Sequence, residues 1–266
     1  MKLRAPGKKP IILKPVRANL GIEAAYRKQL DRMIDDMNKS VSYWLTATYR
    51  ANPPAMAMDA SPVNALRTMM SNLGKKWTKQ FNDASAKIAD AFATQTHAAA
   101  EAVMKRTLRD VGFTVKFTQT PEMKDALQSV IGENIALIKS IPSQHLTAVE
   151  GAVMRSVQAG RDLQTLQTEL LSLGAKSKNR AAFIARDQSN KATAVMSKAR
   201  RLSLGLTQSR WRHSGGGVHP RPLHVKADGE LYETEKGCLI DGEYIMPGEE
   251  PNCRCQAEAV IPGFED

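Results

Sequence analysis

From Ile22 to about Arg50, apolar residues recur at Ile22, Tyr26, Leu30, Met33, Met37, Val41, Trp44 and Leu45. Steps of three and four are the period of a helix with one buried face. Ala51-Asn52-Pro53-Pro54 stops that pattern, and a linker of small residues runs to Ala60. Ser61-Pro62 then has the form of an N-cap followed by proline at the first helical position. The helical period resumes at Val63, Leu66, Met69, Met70, Leu73, Trp77, Phe81, Ile88 and Phe92 and runs towards Leu108. That stretch outruns an ordinary globular helix, so the two segments together predict an elongated helical hairpin.

The period then changes. Gly112-Phe113-Thr114-Val115-Lys116-Phe117-Thr118 alternates apolar and polar residues and predicts a strand. Thr120-Pro121-Glu122 opens another helix, through Leu127, Val130, Ile131, Ile135, Leu137 and Ile138, which Ile141-Pro142-Ser143 is expected to break. A helix from Ser143 to Ala159 ends at Gly160, a natural residue for the position after a helix. Arg161-Asp162-Leu163 opens a short helix to about Gly174, and Lys176-Ser177-Lys178-Asn179-Arg180 reads as a basic loop. A last helix from Ala181 to Leu204 is closed by Gly205. Beyond it, Gln208-Ser209-Arg210-Trp211 and Glu230-Leu231-Tyr232 are short β-type runs, with Asp228-Gly229 and Asp241-Gly242 as turn dipeptides. The expected fold class is mainly α with a small α+β C-terminal module. It divides into a basic extended arm over 1–19, a long helical hairpin over 20–111, a helical body over 112–205 and a β-containing module over 206–266.

Charge refines this division. The chain of 266 residues carries a net charge of +11, yet residues 212–266 hold five Lys/Arg against eleven Asp/Glu. The basic excess therefore belongs to the arm and the helices. It favours an acidic partner, double-stranded DNA or an acidic protein surface, and equally describes a solvated helix face. The candidate DNA-binding residues are Arg180, Arg186, Lys191, Lys198, Arg200 and Arg201. In the arm, prolines at Pro6, Pro10 and Pro15 impose extended chain, and Pro10-Ile11-Ile12-Leu13 suggests a piece that docks onto another surface. No apolar run is long enough to span a membrane, and the basic N-terminus lacks a signal-peptide core.

Residues from Trp211 to Cys255 hold all three cysteines and three of the five histidines. An odd count in a chain of this size reads as reduced thiols made in a cytoplasm, with zinc as the alternative. His224, Cys238, Cys253 and Cys255 form a candidate Cys₃His metal set, although Cys-x-Cys is tighter than the usual ligand spacing. Arg221, His224 and Asp228 can be drawn as phosphate clamp, base and orienting acid of a nuclease, but no paired acidic metal motif or phosphate loop accompanies them. Gly215-Gly216-Gly217 follows Ser214 with no helix start after it, and reads as a hinge.

Laid end to end, these pieces look familiar. They are Asn134-Ile135-Ala136-Leu137-Ile138-Lys139-Ser140-Ile141-Pro142, Gly160-Arg161-Asp162-Leu163, Ala185-Arg186-Asp187-Gln188, the Trp211 strand, Asp228-Gly229 and Pro251-Asn252-Cys253-Arg254-Cys255. In that order, residues 133–255 resemble the phage head morphogenesis family, minor head proteins similar to protein F of phage Mu. The resemblance implies a non-enzymatic virion or procapsid component, made in a host bacterial cytoplasm, present in few copies and forming a multi-copy assembly. It would bind portal, capsid or scaffold proteins and act in head assembly, genome packaging or delivery. The familiar form of the module carries a Cys-x-x-Cys pair and a His able to hold zinc. Here those positions read Arg221, His224 and Glu250, so an Arg221–Glu250 ion pair is expected to clamp the module where a metal would. A zinc-containing DNA-binding or nuclease-like protein is the alternative.

Overall fold

A computed structural model describes residues 9–51, 62–160, 162–216 and 219–262. The stop at Asn52-Pro53-Pro54, the Ser61 cap, Arg161, Gly217 and the first part of the arm lie outside the described residues. In chain order the elements are β1 (Ile11–Ile12), α1 (Leu20–Ala51), α2 (Pro62–Asp110), α3 (Pro121–Gln158), α4 (Leu163–Ser203), β2 (Gln208–Arg212), α5 (Pro222–Lys226), β3 (Leu231–Glu233), β4 (Cys238–Ile240), β5 (Glu243–Ile245) and β6 (Gln256–Ile261). The protein is mainly α with a small antiparallel C-terminal sheet. The chain divides into two compact units. One comprises residues 24–89 and 132–185; the other comprises the chain up to Glu23, residues 90–131 and residues 186–266.

The first unit is helical. In α1 the residues Tyr26, Leu30, Ile34, Met37, Val41, Leu45 and Tyr49 are buried on one face, as the period requires. Trp44, which the period also includes, is 48% exposed, because its position falls beside the stripe rather than on it. Polar contacts fix the directions of the neighbouring helices. Tyr26 Oη donates to Asn134 Oδ1 at 2.9 Å and Tyr49 Oη to Ser156 Oγ at 3.0 Å, so α1 and α3 run parallel. Lys178 pairs with Asp35 at 2.7 Å and Gln167 reaches Thr46, so α4 runs antiparallel to α1. Each fully buried leucine on these faces contributes about 1.5–3 kcal/mol.

That packing overrides two expected breaks. Pro142 sits inside α3, which continues to Gln158. Ile138 and Ile141 are 0% and 1% exposed, and their burial offsets the roughly 3 kcal/mol that an interior proline costs. Ser140 and Ser143 hydroxyls take up nearby carbonyls, those of Leu137 and Ser140. Gly174 and the basic stretch after it are likewise helical, as part of α4. Gly174 is there for closeness rather than for a turn: a Cβ added to it would stand 2.7 Å from Asn38 Nδ2. Two of the three expected loop cations are held by α1 and α3, Lys178 by Asp35 and Arg180 by Ser140 Oγ at 3.0 Å. His145, buried on α3, has Nδ1 2.9 Å from Ser177 Oγ, and its burial pulls its pKa down to about 4.

The second unit contains the sheet, ordered β1-β6-β2-β3 and antiparallel throughout. Gly205, at φ 72°, ends α4 as expected, and Leu206 N–H returns to the Arg201 carbonyl at 2.9 Å. β2 and β3 form on the two runs expected of them. Asp241 and Gly242, both at positive φ, make the two-residue turn of the β4–β5 hairpin. The described part of the arm docks, but on this chain's own sheet: Ile11 and Ile12 pair with Ile261 and Val260, and Leu13 is 1% exposed.

The strand expected at 112–118 does not form. Its alternation is real, with Phe113 buried and Thr114, Lys116 and Thr118 exposed, but no strand pairs with it among the described residues. An extended backbone suffices for a period of two; a ladder also needs a partner edge. Here the Thr118 carbonyl is taken by the Arg200 guanidinium at 2.8 Å instead.

Candidate functional site

The candidate site is built on the second unit by the α4 helix, the segment after β2, the short α5 and the segment before β6. Its base is apolar: Trp211, fully buried on β2, packs with Tyr232, Cys238, Ile240, Cys253 and Cys255. Proline at the start of α5 sets the helical φ there, and Arg221 before it is extended, so His224 is carried inward on the one turn that α5 makes. Trp211 presents its ring edge-on to His224, with centroids 5.1 Å apart. His224 is 4% exposed.

The segment before β6 is anchored from α4. Asn252 takes a left-handed φ of 59°, which asparagine tolerates better than most residues. Its N–H donates to Asp187 Oδ1, and its Oδ1 accepts from Arg186 Nε at 3.1 Å. The Arg186-Asp187 pair and the Pro251-Asn252-Cys253 run, 65 residues apart, are therefore one joint. Their contact is invisible to any local pattern; only their joint presence in the family-like series hinted at it.

This joint sets Cys253 and Cys255 beside His224, whose Nδ1 is 3.5 Å and 3.7 Å from the two sulfurs. The thiols do not titrate alike. The Cys255 thiol beside it holds Cys253 below the ordinary thiol range against the opposing effect of burial, and the same contact together with burial pushes Cys255 up. On the other side of the ring, Glu250 Oε2 lies 2.9 Å from His224 Nε2 and 3.2 Å from Arg221 Nε. Arg221 also donates to the Pro251 carbonyl at 2.9 Å. Glu250 thus meets both His224 and Arg221, and these contacts link α5 and the residue before it to the segment before Cys253.

The donor atoms of His224, Cys253 and Cys255 all lie within 4.8 Å of one another. Two thiols and an imidazole suit zinc, and a carboxylate behind the ring is the usual support for a ligating histidine. A structural zinc site takes four ligands, however, and Cys238, the fourth member expected, is outside this group among the described residues. Cys238 is buried on β4 within the apolar base, where burial raises its pKa. As a nucleophile, Cys253 is poorly placed, since it is only 3% exposed. The nuclease arrangement does not assemble either: Asp228 accepts from the His213 N–H at 2.8 Å and faces Arg212 at 3.4 Å.

The basic residues expected on α4 are mostly engaged. Arg200 is 4% exposed, grips Glu101 with two hydrogen bonds of 2.6 and 2.8 Å, and stacks over Phe117 at 4.3 Å. Arg201 is 3% exposed, and burial lowers its pKa. Lys198 donates to the Glu235 carbonyl at 2.9 Å, and Lys191 faces Asp187 at 3.3 Å. Arg180 is held by Ser140, as above. Of the six, only Arg186 reaches the candidate site.

A cleft of about 320 Å³ opens over this cluster, lined by residues from all four segments, including Arg186, Arg221 and Arg254.

Residues 147–258 match the family model described as Phage Mu protein F like protein. A protein of Haemophilus influenzae described as an uncharacterized protein is 28% identical over 257 residues, which cover 95% of this chain and 56% of that protein. The chain thus spans a little over half the length of that relative. No solved structure matches the chain.

Proposed function

We propose that this chain is a phage minor head protein, a non-enzymatic component of the virion or procapsid. The observation that carries the reading is the joint between Arg186-Asp187 and Pro251-Asn252-Cys253. It lies within the stretch similar to phage Mu protein F, and it uses two of the motifs that made the sequence resemble that family. On this reading the C-terminal module is a closed structural piece, and the protein works by binding. Its partners are portal, capsid or scaffold proteins, met in several copies during head assembly, genome packaging or delivery. No helix among the described residues is long and apolar enough to cross a membrane, in keeping with a protein made in a host bacterial cytoplasm and carried in the head.

The closure of the module is assigned to Arg221, Glu250 and His224 rather than to a metal ion. Were zinc to bind, His224, Cys253 and Cys255 would hold it, and it would crosslink α5 to the segment before β6, the same two pieces that the ion pair already joins. The function is tested by mass spectrometry of purified procapsids and virions of the phage that encodes the chain. Peptides of the protein are expected in at least one of these particles, and their absence from both rejects the reading.

A further inference from the structure

The acidic C-terminal segment contributes most of a cleft whose described wall carries no acid. Its lining includes Arg186, Arg221, Arg254, His213, His219 and His224, together with Ser214, Asn252 and the two thiols, and among the described residues it contains no aspartate or glutamate. The carboxylates near it are turned to other duties. Asp187 holds the Asn252 N–H and faces Lys191, Asp228 holds the His213 N–H and Arg212, and Glu250 faces Arg221 and His224. Among the described residues only Glu250 offsets a lining arginine. Arg186 is bonded there through Nε, to the neutral Asn252 side chain, which leaves both terminal nitrogens open to other acceptors among the described residues. Arg254 has no hydrogen bond or ion pair among the described residues, and its Nη1 lies 3.7 Å from where a Cβ on Gly216 would stand.

From this we infer that the cleft is a binding site for a phosphate group, held chiefly by Arg186 and Arg254, with Arg221 as the third wall. The count of charge fits: two arginines without a carboxylate counter-ion match one doubly charged phosphate or two neighbouring phosphodiesters. Guanidinium forks bind such oxygens in pairs and with a geometry that lysine lacks. A volume of about 320 Å³ is at the small end of ligand pockets, suitable for a single phosphate unit with its water rather than for a large organic molecule. Gly216 lies on the lining beside Arg254, and its N–H is held by Ser214 Oγ at 3.3 Å. The phosphate belongs either to a nucleic-acid backbone or to a small free anion. This site is independent of the head-protein reading, whose test is the composition of the particles.

The full chain is titrated with inorganic phosphate by calorimetry and with a fluorescent DNA duplex of arbitrary sequence by anisotropy at several salt concentrations. Arg254→Ala removes a charge that makes no bond among the described residues, and Lys226→Ala removes one from the exposed side of α5 as a control. Arg254→Ala is expected to weaken both probes about tenfold and, for the duplex, to lower the slope of log affinity against log salt by about one. Arg254→Lys should recover part of the duplex affinity through charge alone, and less of the phosphate affinity, which needs the fork. If phosphate binding depends on Arg254 and duplex binding does not, the site stands as one for a small free anion and the nucleic-acid source is rejected. If Arg254→Ala binds both probes like the parent protein, or Lys226→Ala weakens them equally, there is no phosphate site in the cleft.

Discussion

The arginines at the end of α4 and those around the cleft differ in a way opposite to the charge of their surroundings. Arg200 and Arg201 belong to the basic part of the sequence, yet both are buried, and Arg200 is locked between Glu101, Thr118 and Phe117. Arg254 belongs to the acidic part, where acids outnumber bases by eleven to five over residues 212–266, yet among the described residues it has no partner and the cleft it lines has no acid. Net charge measures how many ions a segment carries, whereas binding depends on how many remain uncompensated. A buried arginine has already exchanged its water for protein oxygens and has little left to offer a ligand.

The largest effect should come from breaking the buried pair. Arg200→Ala leaves the Glu101 carboxylate partly buried without its counter-ion, and a loss of about 3–5 kcal/mol in urea-unfolding stability is expected. Arg254→Ala in the same assay should stay within about 0.5 kcal/mol of the parent, as for a half-buried charge that makes no bond among the described residues. Equal losses for the two variants would erase the distinction between structural and available arginines.

A second measurement asks what it would cost to charge a buried imidazole whose hydrogen-bond partner is a neutral hydroxyl. His145 is held neutral by burial, with a folded pKa of about 4 against an ordinary 6.5. The folded-state pKa is the lower one, so the unfolded chain takes the proton first. Stability from this group is complete above about pH 6.5 and is lost progressively as pH falls towards 4, by about 2–3 kcal/mol. His145→Asn should flatten that part of the stability profile, and an unchanged acid slope would show that His145 is not the group responsible.

The smallest effect belongs to the half-exposed clamp. Side chains of Arg221 and Glu250 are 43% and 34% exposed, so solvent screens the pair. A double-mutant cycle on unfolding stability should give a coupling of about 0.5–1 kcal/mol, and the value should survive exhaustive chelation. A coupling of zero removes the clamp, and a coupling that vanishes with chelator assigns the closure to a metal at His224, Cys253 and Cys255.

Much of the helical architecture was legible because helical period is a local property. The faces of α1 and α2, the caps at Thr120 and Gly205 and the turn at Asp241-Gly242 all follow from residues within a few positions of one another. The errors occurred where distant packing decided the outcome. Pro142 reads as a break until the burial of its neighbours is known, Gly174 reads as a stop until Asn38 is seen against it, and the alternating Phe113–Thr118 run reads as a strand although no edge meets it. Part of the site was legible in the same way. Positional departure at Arg221 and Glu250 pointed to their meeting, and the structure sets them 3.2 Å apart. His224, Cys253 and Cys255 do gather, but Cys238 lies apart from them, since no spacing rule says which of three buried thiols will face the same ring.

The sequence alone therefore determined the helical class, the position of most helix ends and the β-bearing C-terminus. All of these depend on hydrophobic period, backbone preference and residue chemistry at short range. Tertiary structure alone decided that the arm pairs with β6, that α4 buries its last arginines, and that Arg186 and Asp187 meet Asn252 across 65 residues. It also decided which cations remain free, because compensation of charge depends on neighbours in space, and the chain order does not encode that distance directly.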